Sequence, residues 1–229
     1  MTEYYLTRVE LNPQRRGARK LIGSAQAMHA AVEAGFPPSS RRPGDRNLWR
    51  LDAQGIEHRL YVLSPSRPDF SHLIEQAGWS TSSEPWLTKP YNPLLERVEN
   101  GSAWEFRLAA NPIHQTLGKD GKSKKFAHVT VSQQLGWLLD KAEKSGFSLL
   151  QERTGEPAVT VVGREHLKFR RRKEGQEAQV SIRRVTFEGA LRVTDAELFR
   201  KALVQGVGRA KAYGCGLMTV VPLAQTRQS

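Results

Sequence analysis

One order of elements is written twice in this chain, on either side of a proline-rich segment, and that repetition limits the fold more than any other feature. In the first half Tyr5, Thr7, Val9 and Leu11 alternate with Arg8 and Glu10, the period of a half-buried strand. Asn12-Pro13 stops it, and Arg15, Arg16, Arg19 and Lys20 read as a basic connector. Ser24 is placed to cap a helix striped by Ala25, Met28, Ala31 and Val32, ending near Gly35. Strand-like runs at 48–51 and 58–63 flank Asp52-Ala53-Gln54-Gly55, a hairpin turn. Pro68-Asp69 opens a short helix through Leu73, Ile74 and Ala77, and residues 79–87 are extended. The order is β-α-β-β-α-β.

Lys89-Pro90-Tyr91-Asn92-Pro93 then reads as an irregular linker, because two prolines remove donors and fix φ. The order recurs after it. Trp104, Phe106 and Leu108 alternate into Asn111-Pro112. A loop carrying Lys119, Lys122, Lys124 and Lys125 leads to a helix over 132–145 with a stripe of Leu135, Leu138, Leu139 and Ala142. Residues 159–169 and 180–187 are two long strands, and Thr194-Asp195 caps a helix through Leu198, Phe199 and Leu203. A glycine-rich loop and a last strand close the unit. Two successive βαββαβ patterns predict an α+β chain of tandem ferredoxin-like domains with a C-terminal glycine-rich loop. The domains span 1–88 and 101–229, with a linker over 89–100. A length of 229 residues accommodates both.

The closing loop is Gly206-Val207-Gly208-Arg209-Ala210-Lys211-Ala212-Tyr213-Gly214-Cys215-Gly216. Glycines let backbone N–H groups approach an anion, and Arg209 and Lys211 add the charge to hold a phosphate. It lacks the Gly-Lys-Ser/Thr of a nucleotide-binding P-loop, and it precedes a strand where a dinucleotide fingerprint would open a helix. A glycine-rich turn with incidental cations is the other reading. The balance of 35 Lys and Arg against 23 Asp and Glu gives a net charge of +12, which suits a polyanionic partner, nucleic acid first among them. Lys168, Arg170, Arg171 and Arg172, at the tip of the long hairpin, offer guanidinium forks to phosphates. No aromatic motif of the kind that stacks single-stranded RNA stands out on the central strands, so a folded RNA recognised by charge and shape is the better fit.

Other chemistries find little support. Six histidines show no H-x-x-x-H spacing, Cys215 is the only cysteine, and no carboxylate cluster suggests a magnesium nuclease, so neither metal nor other cofactor is expected. One cysteine also suits a reducing cytoplasm. No apolar run reaches the ~20 residues of a bilayer span, and the N-terminal residues read as a strand and not as a signal peptide. His29, beside Met28, lies at the shoulder of the first helix's apolar stripe, where a structural role is the usual one.

Three segments together resemble the CasE family of CRISPR repeat-processing endoribonucleases, within the RAMP superfamily. They are the first strand with its basic stretch and Met28-His29, the run Phe106-Arg107-Leu108-Ala109-Ala110-Asn111-Pro112, and the glycine loop. The resemblance runs from Tyr5 to Val221. It implies two ferredoxin-like domains and metal-independent cleavage of precursor CRISPR RNA at the repeat hairpin. The products would be a 5′-hydroxyl and a 2′,3′-cyclic phosphate, and the protein would remain on the RNA among other Cascade subunits. His29 matches the family's catalytic histidine. The tyrosine often found three residues earlier is here Gln26, which cannot titrate usefully. The expected site is therefore His29 as general base or acid, with Lys211 or a nearby arginine stabilising charge and Tyr213 as a further candidate. Arg15, Arg16, Arg19, Lys168, Arg170, Arg171, Arg172 and Arg209, with Gly206, Gly208, Gly214 and Gly216, are expected to meet RNA. A non-catalytic RNA-binding subunit of the same superfamily is the alternative. A ribosome-associated basic protein would explain the charge but not the loop.

Overall fold

The computed structural model describes residues 2–38, 44–79, 81–117, 123–173 and 176–223. It leaves out the side chains of 117, 123, 171–173 and 176–178. Lys119, Lys122 and the Glu174-Gly175 turn therefore lie outside the described residues, as do the side chains of Arg171 and Arg172. The chain forms two compact units, Met1–Arg97 with Val204–Gly206 and Ala210–Leu217, and Val98–Leu203 with Val207–Arg209 and Met218–Ser229.

The first unit contains β1 (Tyr5–Leu11), α1 (Arg16–Ile22), α2 (Ala25–Ala34), β2 (Leu48–Gln54), β3 (Glu57–Ser64), α3 (Ser71–Ala77), β4 (Trp86–Pro90) and α4 (Asn92–Glu96). Its antiparallel sheet runs β2-β3-β1-β4, the strand order of a ferredoxin-like fold. The alternation read in β1 is borne out, with Thr7, Val9 and Leu11 buried between Arg8 and Glu10. Val9, Leu11, Leu60 and Val62 meet Met28 and Val32 of α2 and Leu73 of α3 in the core. Ser24 caps α2, its side chain accepting from the Ala27 N–H.

Three expectations are corrected here. The basic connector is a helix, α1, because Ala18 and Leu21 among its cations are buried. Gly17 makes its seat possible, since a Cβ there would stand 2.2 Å from the Gln76 carbonyl oxygen of α3. The hairpin turn comes later than Asp52-Ala53-Gln54-Gly55, because β2 continues to Gln54. The linker is not irregular. Pro90 ends the sheet's edge strand, where a missing N–H costs little, and Pro93 sits in the first turn of α4.

The second unit contains β5 (Ala103–Ala110), β6 (Ile113–Leu117), β7 (Ser123–Ala127), α5 (Val131–Lys144), β8 (Phe147–Leu149), β9 (Val159–Lys173), β10 (Gln176–Val193), α6 (Ala196–Gln205) and β11 (Met218–Pro222). The order β11-β5-β10 repeats the first sheet's plan. The remaining position is shared along β10, by β8 at Leu191–Val193 and by β9 from Gln176 to Gly189. The tandem ferredoxin-like reading thus holds. The lysine-rich loop is corrected to a hairpin, β6–β7. On α5 the buried face is Gln134, Trp137, Leu138 and Ala142, while Leu139 is exposed. Trp137 stacks on Phe187 of β10, which sets the helix's rotation.

β10 pairs with β5 only from Val185 onward. Beyond that point, among the described residues, 165–173 and 176–184 pair with no strand but each other, as a two-stranded arm about 30 Å long at ~3.3 Å per residue, with Ile182 and Arg184 buried at its base.

Candidate active site

Helix α2 carries Gln26, His29 and Glu33 at spacings that bring them to one face. His29 Nδ1 is shielded from solvent and stands 3.9 Å from Glu33 Oε1, while about a third of the side chain (35%) is exposed. Glu33 is itself held by Asn47, whose Nδ2 donates to Oε1 at 3.3 Å. The imidazole thus turns its Nδ1 edge toward Glu33 and leaves about a third of the side chain open to solvent. His72, by contrast, is bonded to the Ala31 carbonyl at 2.9 Å, and His166 to Ser181 at 2.8 Å.

The later part of the glycine loop, Ala210–Leu217, belongs to this unit. A single 3₁₀ turn, Lys211–Tyr213, packs against both α2 and β2 although some 180 residues separate it from α2 in the chain. Left-handed residues bracket the turn, Ala210 at φ 64° and Gly214 at φ 75°. Gly206, Gly208 and Gly216 also have positive φ. Gly214 and Gly216 are buried, so their backbone is committed to the fold's own turn. A Cβ on Gly206 would meet the Leu48 side chain at 2.9 Å.

Arg50, which the sequence reading did not single out, fixes the end of the loop. It is buried on β2, paired with Asp52 at 2.8 Å, and donates to the Leu217 carbonyl at 3.3 Å. Lys211 is half-buried. Burial pushes its ammonium below the 10.5 of a free lysine, and the Arg46 guanidinium adds to the effect. A cation kept at such a place can stabilise charge that develops on a phosphate.

The other expected residues divide. The Arg15 guanidinium is turned to the C-terminal carbonyls of α3, donating to Ile74 at 3.0 Å, to Gly78 at 2.9 Å and to Glu75. It serves as a helix cap. Arg16 and Arg19 are exposed on α1. In the second unit Arg209 is exposed and reaches Gln115 Oε1 at 3.3 Å. On the arm, period-two alternation places Arg164, His166, Lys168 and Arg170 on one exposed face, with Arg183 opposite His166. Leu167, Phe169, Val180 and Ile182 share the other face. Counting by two along β9 and β10 would have found Arg164 and Arg183 in the sequence.

Among the described residues, no group of three or more His, Cys, Asp or Glu is placed to hold a metal ion, and no helix is long and apolar enough to cross a membrane. A family model described as CRISPR associated protein matches residues 4–222.

The chain belongs to the CRISPR-associated protein family. It is 35% identical over 222 residues to the CRISPR-associated endoribonuclease Cse3 of Thermus thermophilus, covering 95% of this chain and all of that one. It is 26% identical over 196 residues to the Cascade subunit CasE of Escherichia coli, covering 76% of this chain and 94% of that one. In structure it is similar to Thermus thermophilus Cse3 bound to an RNA representing a pre-cleavage complex. That match has a TM-score of 0.78 at 30% identity and covers 96% of this chain and all of that one. The resemblance read from Met28-His29, the 106–112 run and the glycine loop was to this same group of CRISPR-associated proteins.

Proposed function

We propose that this protein is a metal-independent, cytoplasmic endoribonuclease that binds the hairpin of a CRISPR repeat and cuts precursor CRISPR RNA there, then stays bound as a Cascade subunit. The observation that carries this is the packing of α2, which bears His29, against the turn that bears Lys211, in a chain matched over 95% of its length by a Cse3 endoribonuclease. The reaction uses the RNA's own 2′-hydroxyl. A base takes the 2′ proton, the 2′ oxygen attacks phosphorus, the P–O5′ bond breaks, and an acid protonates the leaving 5′ oxygen. A 2′,3′-cyclic phosphate and a 5′-hydroxyl result, with no water consumed.

His29 serves as the base or as the acid, and cannot be both at one instant. Glu33, on its Nδ1 side, orients the ring. Lys211 stabilises the charge gathering on phosphate. Tyr213, in the same turn, is the candidate for the second proton-transfer group, because Gln26 cannot fill that role. Incubation with a repeat hairpin in EDTA tests the whole reading. Cleavage should proceed, should yield cyclic phosphate ends, and should stop when the nucleotide before the cut is 2′-deoxy. Tight binding with no cleavage, with or without metal, would make the protein a non-catalytic RNA-binding subunit.

Lys211→Met separates charge from packing. A lysine whose folded pKa lies below its unfolded value costs stability where it is charged. The unfolded chain binds more protons between the two values, so stability rises with pH through that window. The variant should therefore melt higher than wild type at pH 7, and the gain should shrink as pH climbs toward 10.5. Its cleavage rate at saturating protein should fall. A lower melting temperature at pH 7 would contradict the account of the buried charge. Unchanged rate and affinity would remove Lys211 from the site.

The arm is assigned affinity and not chemistry. Replacing Arg170, Arg171 and Arg172 with alanine should weaken hairpin binding and reduce its salt dependence by ~1 for each lost phosphate contact. Cleavage at saturating protein should largely recover. A salt slope equal to that of wild type would show that these arginines do not face RNA.

A further inference from the structure

The β6–β7 ribbon takes no part in the site described above. Its register sets His114 opposite Phe126 and Thr116 opposite Lys124, so these four side chains share one face. His128, two residues past Phe126, continues that face. The rings form a column. Phe126 stacks on His114 with centroids 5.7 Å apart and 27° between planes, and His114 lies 4.8 Å from His128.

A cross-strand ring pair stabilises a hairpin, which accounts for the stacking itself. It does not account for the surroundings. Phe126 is 49% exposed and His114 is exposed, so the outer end of the column faces solvent. Lys124 and Lys125 beside it are exposed, and neither strand contains a carboxylate. Burial, and then His114, push His128 below the ordinary histidine value against a weaker pull from Asp140, which favours a neutral ring at the column's inner end. A flat ring surface with a phenyl group outermost, bordered by ammonium groups, matches a nucleobase with its phosphate. A protein strand would leave the lysines facing no anion.

We propose that this face is a stacking platform for one unpaired nucleotide of the bound RNA. The base lies on Phe126, backed by His114 and His128, and its phosphate meets Lys124. The base must be unpaired because a duplex covers the faces of its bases. The inference rests on the RNA-binding reading above and adds a contact to RNA that flanks the hairpin.

The test compares three RNAs: the repeat hairpin alone, the hairpin with a short unpaired adenosine tract on its 5′ side, and the same on its 3′ side. A 2-aminopurine in each tract reports stacking. Wild type should bind at least one flanked RNA more tightly than the bare hairpin and should quench its 2-aminopurine. Base–aromatic stacking is worth about 1–3 kcal/mol, so Phe126→Ala should weaken that RNA about 5- to 150-fold and abolish the quenching. The bare hairpin should bind as before. Phe126→Trp, which keeps a ring in the ribbon, should retain both signals. Equal weakening for bare and flanked RNA, or none for either, would overturn the platform. So would Phe126→Ala proteins that bind every RNA normally and fail only to join partner subunits. If wild type bound no hairpin at all, the failure would instead belong to the RNA-binding reading.

Discussion

Replacing His29 with alanine is expected to slow cleavage of the repeat hairpin by ~10²–10⁴ and to leave its affinity for that RNA nearly unchanged. The side chain is partly exposed on α2, and the buried apolar core beneath it is supplied on that helix by Met28 and Val32. The variant should therefore fold and melt like wild type. Single-turnover cleavage and a binding titration on one preparation separate the two roles. A rate loss matched by an affinity loss would make His29 a ground-state contact. A wild-type rate would remove it from the reaction. Glu33→Gln is the informative companion. It should cost less than the histidine, because it removes the carboxylate 3.9 Å from Nδ1 but leaves the ring.

The repeated element order was legible because each copy carries strong local signals. Val9 and Leu11 alternate with charged neighbours, Ser24 caps α2, and the Asp195 side chain accepts from the Leu198 N–H at the start of α6. Other elements hid for physical reasons. The buried Ala18 and Leu21 of α1 are spaced as a helix requires, but they are few and stand among arginines and lysines. The β6–β7 ribbon contains His, Gln, Thr and Lys where a half-buried strand would show apolar alternation, because it packs its rings on each other and not on a core. The phase of α5 was misjudged by leucine counting, since Trp137 and not Leu139 meets Phe187.

The candidate site was less legible than the fold. His29 stands out by resemblance, while its position alone, at the shoulder of the apolar stripe, suggests a structural residue. The glycine loop is legible as a loop, but its place beside α2 follows from the resemblance alone, because contact across some 180 residues leaves no local periodicity. Arg50 escaped for a related reason. A buried arginine on a strand looks like any other until the Leu217 carbonyl it satisfies is in place. Arg15 is the converse, a cation of the basic stretch expected to meet RNA, whose guanidinium is turned to the end of α3.

Gly214→Val is expected to damage both the fold of the loop and the reaction. Gly214 sits at φ 75° and ψ 24°, and it is buried where it ends the turn that bears Lys211. A non-glycine residue in this left-handed region costs about 1–3 kcal/mol, and a β-branched one stands at the upper end. Adding a branched side chain to a packed position typically costs a further ~1–3 kcal/mol. The cheapest relief is for the turn to shift away from α2, taking Lys211 with it. Melting temperature should fall, and cleavage at saturating RNA should fall further than the residual folded fraction explains. Gly214→Asn, which tolerates left-handed φ, should lose less of both, and that ordering identifies backbone conformation as the cause. Ala210 already holds φ 64° at the other end of the turn, so the segment accepts one small Cβ in this region. Gly214→Ala should accordingly fall between wild type and valine. A Gly214→Val protein with wild-type stability and wild-type rate would show that the turn does not depend on this glycine. It would also detach the position of Lys211 from the loop's geometry.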